Sequence, residues 1–292
     1  MLIRQITIIG TGLIGGSFGL ALKKHGFRGR IIGCDRTAVL ERARKAGTCD
    51  RASEHPVEAT RGSQVVLLAT PVLASMDLIN RLAPGLPPKA LLTDVGSTKS
   101  QIVARAEAVF GKNAGARFLG GHPMAGKEKS GVEFADADLF HDAVWFITPL
   151  HGQKTNEGVV GEYLGWLEKI GARVASMDAA EHDELCAWIS HLPQMTSTAL
   201  ASTLVDEYGA DAPLLQAGGR ALREMTRIAG SPYSWWRDVA ITNKQNIAAA
   251  LLKLEQRLAH IRENLDTREL AEEFERAHQL RKNLPPNKPH NP

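Results

Sequence analysis

Long hydrophobic runs are missing from this chain. No window approaches the roughly 18 consecutive apolar residues that a membrane helix requires, so no membrane span or membrane partner is expected. The first apolar run, residues 6–10, is short and leads into glycines instead of a small-residue cleavage site, unlike a secretory signal. Cysteine is scarce: Cys34, Cys49 and Cys186 are odd in number and form no C-x-x-C pair. That argues against a disulfide framework or a zinc site and points to a reducing compartment, the cytoplasm. Excess charge of one sign is missing too. With 35 Lys+Arg against 32 Asp+Glu the net charge is +3, too weak a field to hold nucleic acid by bulk electrostatics. Hydrophobic residues at 43% exclude a disordered chain.

What is present is a two-domain pattern. At about 100–200 residues per domain, 292 residues allow two cores. The first 178 residues alternate strand-like and helix-like segments, as a parallel sheet covered by helices does. Strands are expected at 5–9, 30–34, 64–69, 90–94, 117–119, 144–147 and 173–175, and helices at 14–25, 39–46, 73–82 and 101–110. The run Val65-Val66-Leu67-Leu68-Ala69 is apolar throughout, as a strand buried on both faces must be. The fold class expected is α/β: a Rossmann-like doubly wound parallel sheet followed by an all-helical domain.

After Asp178 strand-like runs disappear. Asp178 with Glu181 resembles a capping box that opens the first helix of the second domain. Pro193 frees the carbonyl of Ile189, so a kink is expected beside His191. Leu251, Leu254, Leu258, Ile261 and Leu265 recur at three- and four-residue steps and predict one apolar seam on a long helix. Its partner is either a neighbouring helix or the same helix of a second subunit. The expected division is 1–178 for a dinucleotide-binding domain, 179–284 for a helical substrate-binding and dimerisation domain, and 285–292 for a proline-rich disordered tail.

The strand at 5–9 runs into Gly10-Thr11-Gly12-Leu13-Ile14-Gly15, a G-x-G-x-x-G that opens a helix. Gly10 permits the tight turn, Gly12 lets backbone approach a pyrophosphate, and Gly15 lets helix pack on strand. The helix N-terminus adds unpaired N–H donors for the anion. Asp35 ends the second strand, near the offset at which an acid binds the ribose hydroxyls, and favours NAD. Arg36 beside it suits a 2′-phosphate, which keeps NADP open.

Ligands of open α/β sheets bind beyond the carboxyl ends of the strands. Three segments lie there: Thr70-Pro71, Asp94 to Lys99, and Gly120 to Gly126. A hydride-transfer site must also take a proton from a hydroxyl, and histidine is the usual base near neutral pH. His122 fits that task, or else caps a turn; Ser97 fits a hydrogen bond to the same hydroxyl. His25, His55, His141, His151, His182, His260, His278 and His290 have no constellation around them and receive no role. No His/Cys/Asp spacing suggests a metal.

Residues 10–17 (G-T-G-L-I-G-G-S), 94–99 (D-V-G-S-T-K), 120–131 (G-G-H-P-M-A-G-K-E-K-S-G), 190–193 (S-H-L-P), and T-R-I-A at 226–229 followed by W-R-D at 236–238 together resemble the prephenate dehydrogenase family. That family includes arogenate and cyclohexadienyl dehydrogenases. The resemblance implies NAD-dependent oxidative decarboxylation of prephenate to 4-hydroxyphenylpyruvate in tyrosine biosynthesis, or of arogenate by the same chemistry. It implies that His122 polarises the ring 4-hydroxyl and that Ser97 contacts that hydroxyl and the nicotinamide. His191 and Arg227 match substrate-binding positions of the helical domain. Glu128 and Lys129 match a loop at the pocket mouth, and Trp236 matches a residue contributed by the other subunit of a homodimer. The cofactor contacts expected are Gly10, Thr11, Gly12, Leu13, Ile14, Gly15, Asp35, Arg36, Thr70, Pro71 and Ser97. Bland readings stand beside these: Arg227 pairing with Glu224 on the same helix face, His191 as a satisfied helix histidine, and Trp235 and Trp236 as core or interface aromatics. Two other classes share parts of this pattern: a β-hydroxyacid dehydrogenase, which depends on a lysine base in its helical part, and a nucleotide sensor without chemistry.

Overall fold

A computed structural model of the chain describes residues 2–127, 129–210, 213 and 217–284. By internal packing the chain divides into two compact units, Met1–Lys244 and Gln245–Pro292.

The larger unit is built on one eight-stranded sheet. Its strands are β1 (Gln5–Ile9), β2 (Arg30–Cys34), β3 (Arg51–Ser53), β4 (Val65–Leu68), β5 (Leu91–Asp94), β6 (Phe118–Pro123), β7 (Val144–Thr148) and β8 (Arg173–Ser176). They lie in the order β3-β2-β1-β4-β5-β6-β7-β8. All neighbours are parallel except β6 and β7. The strand order reverses at β1, so a crevice opens where β1 and β4 end, the place at which such sheets bind nucleotides. Side chains alternate to two cores: Ile6, Ile8, Val65 and Leu67 on one face, Ile9, Val66, Leu68 and Leu92 on the other.

Two strands differ from the sequence expectation. The three-residue β3 has no apolar run to announce it; Arg51 and Ala52 are exposed on the sheet edge. β6 runs on through Gly120, Gly121 and His122 to Pro123, where a glycine-rich loop was expected. Glycine is a poor strand former, but here space demands it. A Cβ at Gly120 would lie 2.2 Å from Thr148 Oγ1, and one at Gly121 would lie 2.7 Å from the Asp94 carbonyl oxygen. His122 therefore stands on the sheet, in register with Phe146 of β7.

Beyond β8, Asp178 caps the helix Ala179–Cys186 by accepting the Ala180 N–H at 2.7 Å. This helix passes through a π-helical turn, Ala187–His191, into the helix Leu192–Tyr208. The irregularity expected from Pro193 thus takes the form of a widened turn, which accommodates the missing N–H.

In the smaller unit, the helix Lys244–Glu263 is followed by the helix Arg268–Asn283. Arg257 pairs with Glu273 at 2.6 Å, and His260 lies 3.5 Å from Glu269. These pairs set the two helices side by side as a hairpin. The expected leucine seam is shorter than predicted: the helix stops at Glu263, so Leu265 stands in the turn after it. Leu258 and Leu265 are exposed. The expected tail, 285–292, lies outside the described residues. Among the described residues no helix is long and apolar enough to cross a membrane.

Candidate active site

The crevice end of β1 is shaped by its glycines. Gly10 has φ +92°, and a Cβ there would come 2.3 Å from the Ala69 carbonyl oxygen; a Cβ at Gly15 would come 2.0 Å from the Gly10 carbonyl. Gly12 differs, because a Cβ there would meet nothing within 4 Å. The space beside Gly12 lies at the N-terminus of the helix Leu13–Lys24, whose first N–H groups receive no side-chain cap. Open space and uncapped donors together suit a pyrophosphate. The surrounding groove, about 910 Å³, is lined by Gly10, Gly12, Asp35, Arg36, Thr70 and Pro71 and flanked by Trp235. Asp35, half-buried, accepts the Thr11 N–H at 2.8 Å through one oxygen and the Arg36 N–H at 2.8 Å through the other. Leu13 and Ile14 form the first helical turn. The donor set and the shape of the groove fit a dinucleotide.

Next along the sheet, a chain of buried groups leads to His122. Asp183 accepts the backbone N–H of Lys99 at 2.6 Å and of Ser100 at 2.9 Å, and it lies 2.9 Å from His182 Nδ1. Burial pushes the Asp183 carboxyl up, yet hydrogen bonds from His182, Ser100 and Lys99 outweigh it and hold the group below its ordinary value. A carboxylate accepts only, so His182 Nδ1 carries the proton and His182 Nε2 is an acceptor. That acceptor lies 2.9 Å from His122 Nδ1. His122 Nδ1 must then donate, which leaves its Nε2 with a free lone pair. Burial, joined by His182, Lys99 and His191, holds the His122 pKa well below 6.5. The imidazole is neutral at pH 7 and able to accept a proton.

Lys99 and Asp94 form a fully buried ion pair beneath this chain. Asp94 also accepts the N–H groups of Gly96 at 2.7 Å and Gly121 at 3.2 Å. The pair thereby ties the loop after β5, which carries half-buried Ser97, to the strand that carries His122. Burial holds the Lys99 ammonium below its ordinary pKa against the pull of Asp94.

The widened turn brings a second histidine into the same region. Asn243 Nδ2 donates to the Asp183 carbonyl at 2.7 Å and lies 3.2 Å from His191 Nδ1. The amide nitrogen can only donate, so His191 Nδ1 accepts and Nε2 carries the proton. His191 Nε2 is buried and meets no hydrogen-bond partner among the described residues. Burial pushes the His191 pKa down to about 4, with His182 adding to the effect and Asp183 opposing it.

The residues match two family models: "Prephenate dehydrogenase, nucleotide-binding domain" over 18–176, and "Prephenate dehydrogenase, dimerization domain" over 178–280. The chain belongs to the prephenate dehydrogenase family, a family of oxidoreductases. It is 38% identical to a prephenate dehydrogenase of Lactococcus lactis over 252 residues, covering 83% of this chain and 66% of that one. It is 34% identical to that of Bacillus subtilis over 287 residues, covering 96% and 76%. The crystal structure of prephenate dehydrogenase from Aquifex aeolicus in complex with hydroxyphenyl propionate and NAD+ superposes with a TM-score of 0.85 at 31% identity, covering 97% of each chain.

The positions that resemble the family's site residues are distributed as follows. Trp236 lies edge-on to His191 of its own chain, with ring centroids 5.9 Å apart. Arg227 is exposed at the start of the turn Arg227–Gly230. Gln194 ties that turn to the helix after His191 by donating to the Ile228 carbonyl at 2.9 Å. The Glu224 carboxylate is taken by Arg220 at 2.6 Å. Glu128 lies outside the described residues.

Several groups of this buried cluster escaped the sequence reading. His182 was given no role, yet it is the immediate neighbour of His122. Asp183, Asn243 and the Lys99–Asp94 pair were equally unassigned. One signal was available: His182 and Cys186 are four apart on the first helix after the cap, and so share a face. Cys186 Sγ lies 3.4 Å from His182 Nε2 and 3.9 Å from His122 Nδ1.

Proposed function

We propose that this chain catalyses the NAD-dependent oxidative decarboxylation of prephenate to 4-hydroxyphenylpyruvate. The observation that carries the reading is the directed hydrogen-bond chain Asp183–His182–His122, which leaves His122 Nε2 as a buried, neutral base in a member of this family. When bound, NAD+ supplies the hydride acceptor. Gly10, Thr11, Gly12, Leu13, Ile14 and Gly15 hold its pyrophosphate, Asp35 and Arg36 its adenosine ribose, and Thr70, Pro71 and Ser97 the remainder.

His122 Nε2 takes the proton of the ring 4-hydroxyl as C4 is oxidised. The ring carboxylate then leaves as CO2, driven by aromatisation, and His122 returns the proton to the phenolate oxygen. Ser97 hydrogen-bonds the same oxygen. His191 Nε2 donates to the substrate. Arg227, with its planar fork, captures a carboxylate. Tight pairing with the departing carboxylate would stabilise the ground state and slow its loss, so the side-chain carboxylate is the better partner. Trp236 supports His191 within its own chain. Arogenate, which differs from prephenate by an amino group on the side chain, meets no discriminating charge among these residues.

The helical part, from residue 179 to about 284, serves substrate binding and homodimer formation. The matched dimerization-domain model and the exposed Leu258 and Leu265 support this assembly. A biosynthetic role of this kind fits a cytoplasmic enzyme.

A steady-state assay crossing prephenate and arogenate with NAD+ and NADP+ tests the reading. The expected result is fastest turnover with prephenate and NAD+, with one CO2 released per reduced nucleotide. Absence of turnover with all four pairs overturns it.

A further inference from the structure

The relay to His122 needs His182 and Asp183, but it does not need sulfur. Cys186 nevertheless turns its Sγ into the gap between the two imidazoles. His122 Nδ1, His182 Nε2 and Cys186 Sγ all lie within 4.8 Å of one another, and all three residues are buried. From this convergence we propose that the three side chains form a binding site for a thiophilic divalent cation of the zinc class, and that occupation of the site inhibits the enzyme.

The donor types select the metal. Two imidazole nitrogens and a thiolate suit Zn2+ or Co2+ and do not suit Mg2+ or Ca2+, which take oxygen. The geometry is close to the requirement. Tetrahedral zinc with bonds of about 2.0–2.3 Å needs its nitrogens about 3.3 Å apart and nitrogen about 3.6 Å from sulfur. The observed separations are 2.9 Å between nitrogens, and 3.4 and 3.9 Å from nitrogen to sulfur. Shifts of a few tenths of an ångström close the difference. The outer groups are in place as well. Asp183 sits 2.9 Å from the far nitrogen of His182, the carboxylate–histidine–metal arrangement that fixes a ligating ring. Lys99, the nearby cation, is already paired with Asp94. Three protein ligands leave a fourth position for water.

Inhibition follows from which nitrogen is used. The metal displaces the thiol proton of Cys186, and the single proton of the His122 imidazole moves from Nδ1 to Nε2 as the metal takes Nδ1. A neutral imidazole bound through Nδ1 carries its one proton on Nε2. The lone pair that should receive the hydroxyl proton is then gone. Metal binding stands without the dehydrogenase reading; the inhibitory consequence rests on it.

The full-length, metal-free protein is titrated with Zn2+ by calorimetry and with Co2+ by near-ultraviolet absorbance. Zn2+ inhibition is measured relative to each variant's own metal-free rate. The wild type is expected to take one metal per chain and to show a thiolate-to-cobalt charge-transfer band. In Cys186→Ser the band should vanish, and the Zn2+ needed for half-inhibition should rise roughly tenfold or more. Cys186→Ala serves if the serine variant does not fold. A wild type without the charge-transfer band overturns the site, as does a folded variant inhibited like the wild type. Metal-free turnover of prephenate tests the dehydrogenase reading separately. Turnover without the band loses only this site, and the band without turnover loses only that reading.

Discussion

His122 Nδ1 and His182 Nε2 lie 2.9 Å apart, with the two rings nearly edge to face at 69°. Because Asp183 holds the other nitrogen of His182, this contact has a direction and dictates which nitrogen of His122 is basic. His122→Asn should lower kcat by roughly 10²–10⁴, the usual worth of a general base, with dinucleotide affinity unchanged in a binding titration.

His182 acts through His122, so its loss should be milder and specific. His182→Leu leaves the His122 Nδ1–H unsatisfied at a cost of about 1–3 kcal/mol, roughly 10- to 100-fold in kcat. His182→Gln restores an acceptor and should recover part of that loss. Equal kcat values for the two variants would reduce His182 to a packing residue.

The glycines of the phosphate loop should separate by phenotype. Gly12→Ala fills the open space and should raise KM for NAD+ by roughly tenfold, each factor of ten being about 1.4 kcal/mol, with an unchanged melting temperature. Gly10→Ala forces a side chain to φ +92° against the Ala69 carbonyl. It should destabilise the fold by about 1–3 kcal/mol, seen as a lower urea midpoint.

Arg227→Ala should raise KM for prephenate roughly 10- to 100-fold, since a hydrogen bond to a charged group is worth about 1.5–3 kcal/mol. KM for NAD+ should stay the same in the same assay. An unaltered KM for prephenate would assign carboxylate capture to another cation.

His191 makes stability depend on pH. Its folded pKa is about 4, below the roughly 6.5 of an unfolded histidine. The unfolded chain therefore binds the proton first as pH falls. The contribution is intact above pH about 6.5 and is lost between there and about 4, amounting to about 3 kcal/mol. Urea unfolding across that window should show a steeper loss for wild type than for His191→Gln.

The sheet was readable because its strands are apolar on both faces: Val65 to Leu68 could hardly be anything else. The phosphate loop was readable because its spacing is local. β3 was not, since three residues at a sheet edge carry no pattern. The end of β6 was hidden because Gly120 and Gly121 answer to tertiary crowding from Thr148 and Asp94, which no local propensity records. The same holds for the site. His122 stood in a distinctive segment, whereas His182, Asp183 and Asn243 acquire meaning only when helix ends far apart in sequence meet over the sheet.

The widened turn at Ala187–His191 has a geometric consequence of its own. Nine residues of regular helix rotate through about 900°, which sends positions 182 and 191 to opposite sides of the rod. The extra residue in the π turn removes about 100° of that rotation and leaves the two imidazoles about 80° apart. One uninterrupted rod thus turns both rings toward the same flank. Deleting one residue from 187–190 would let the rod become regular with His191 eight positions after His182, about 800° or 80° round, so both rings would keep their common flank, whereas adding one would turn His191 a further 100° or so away.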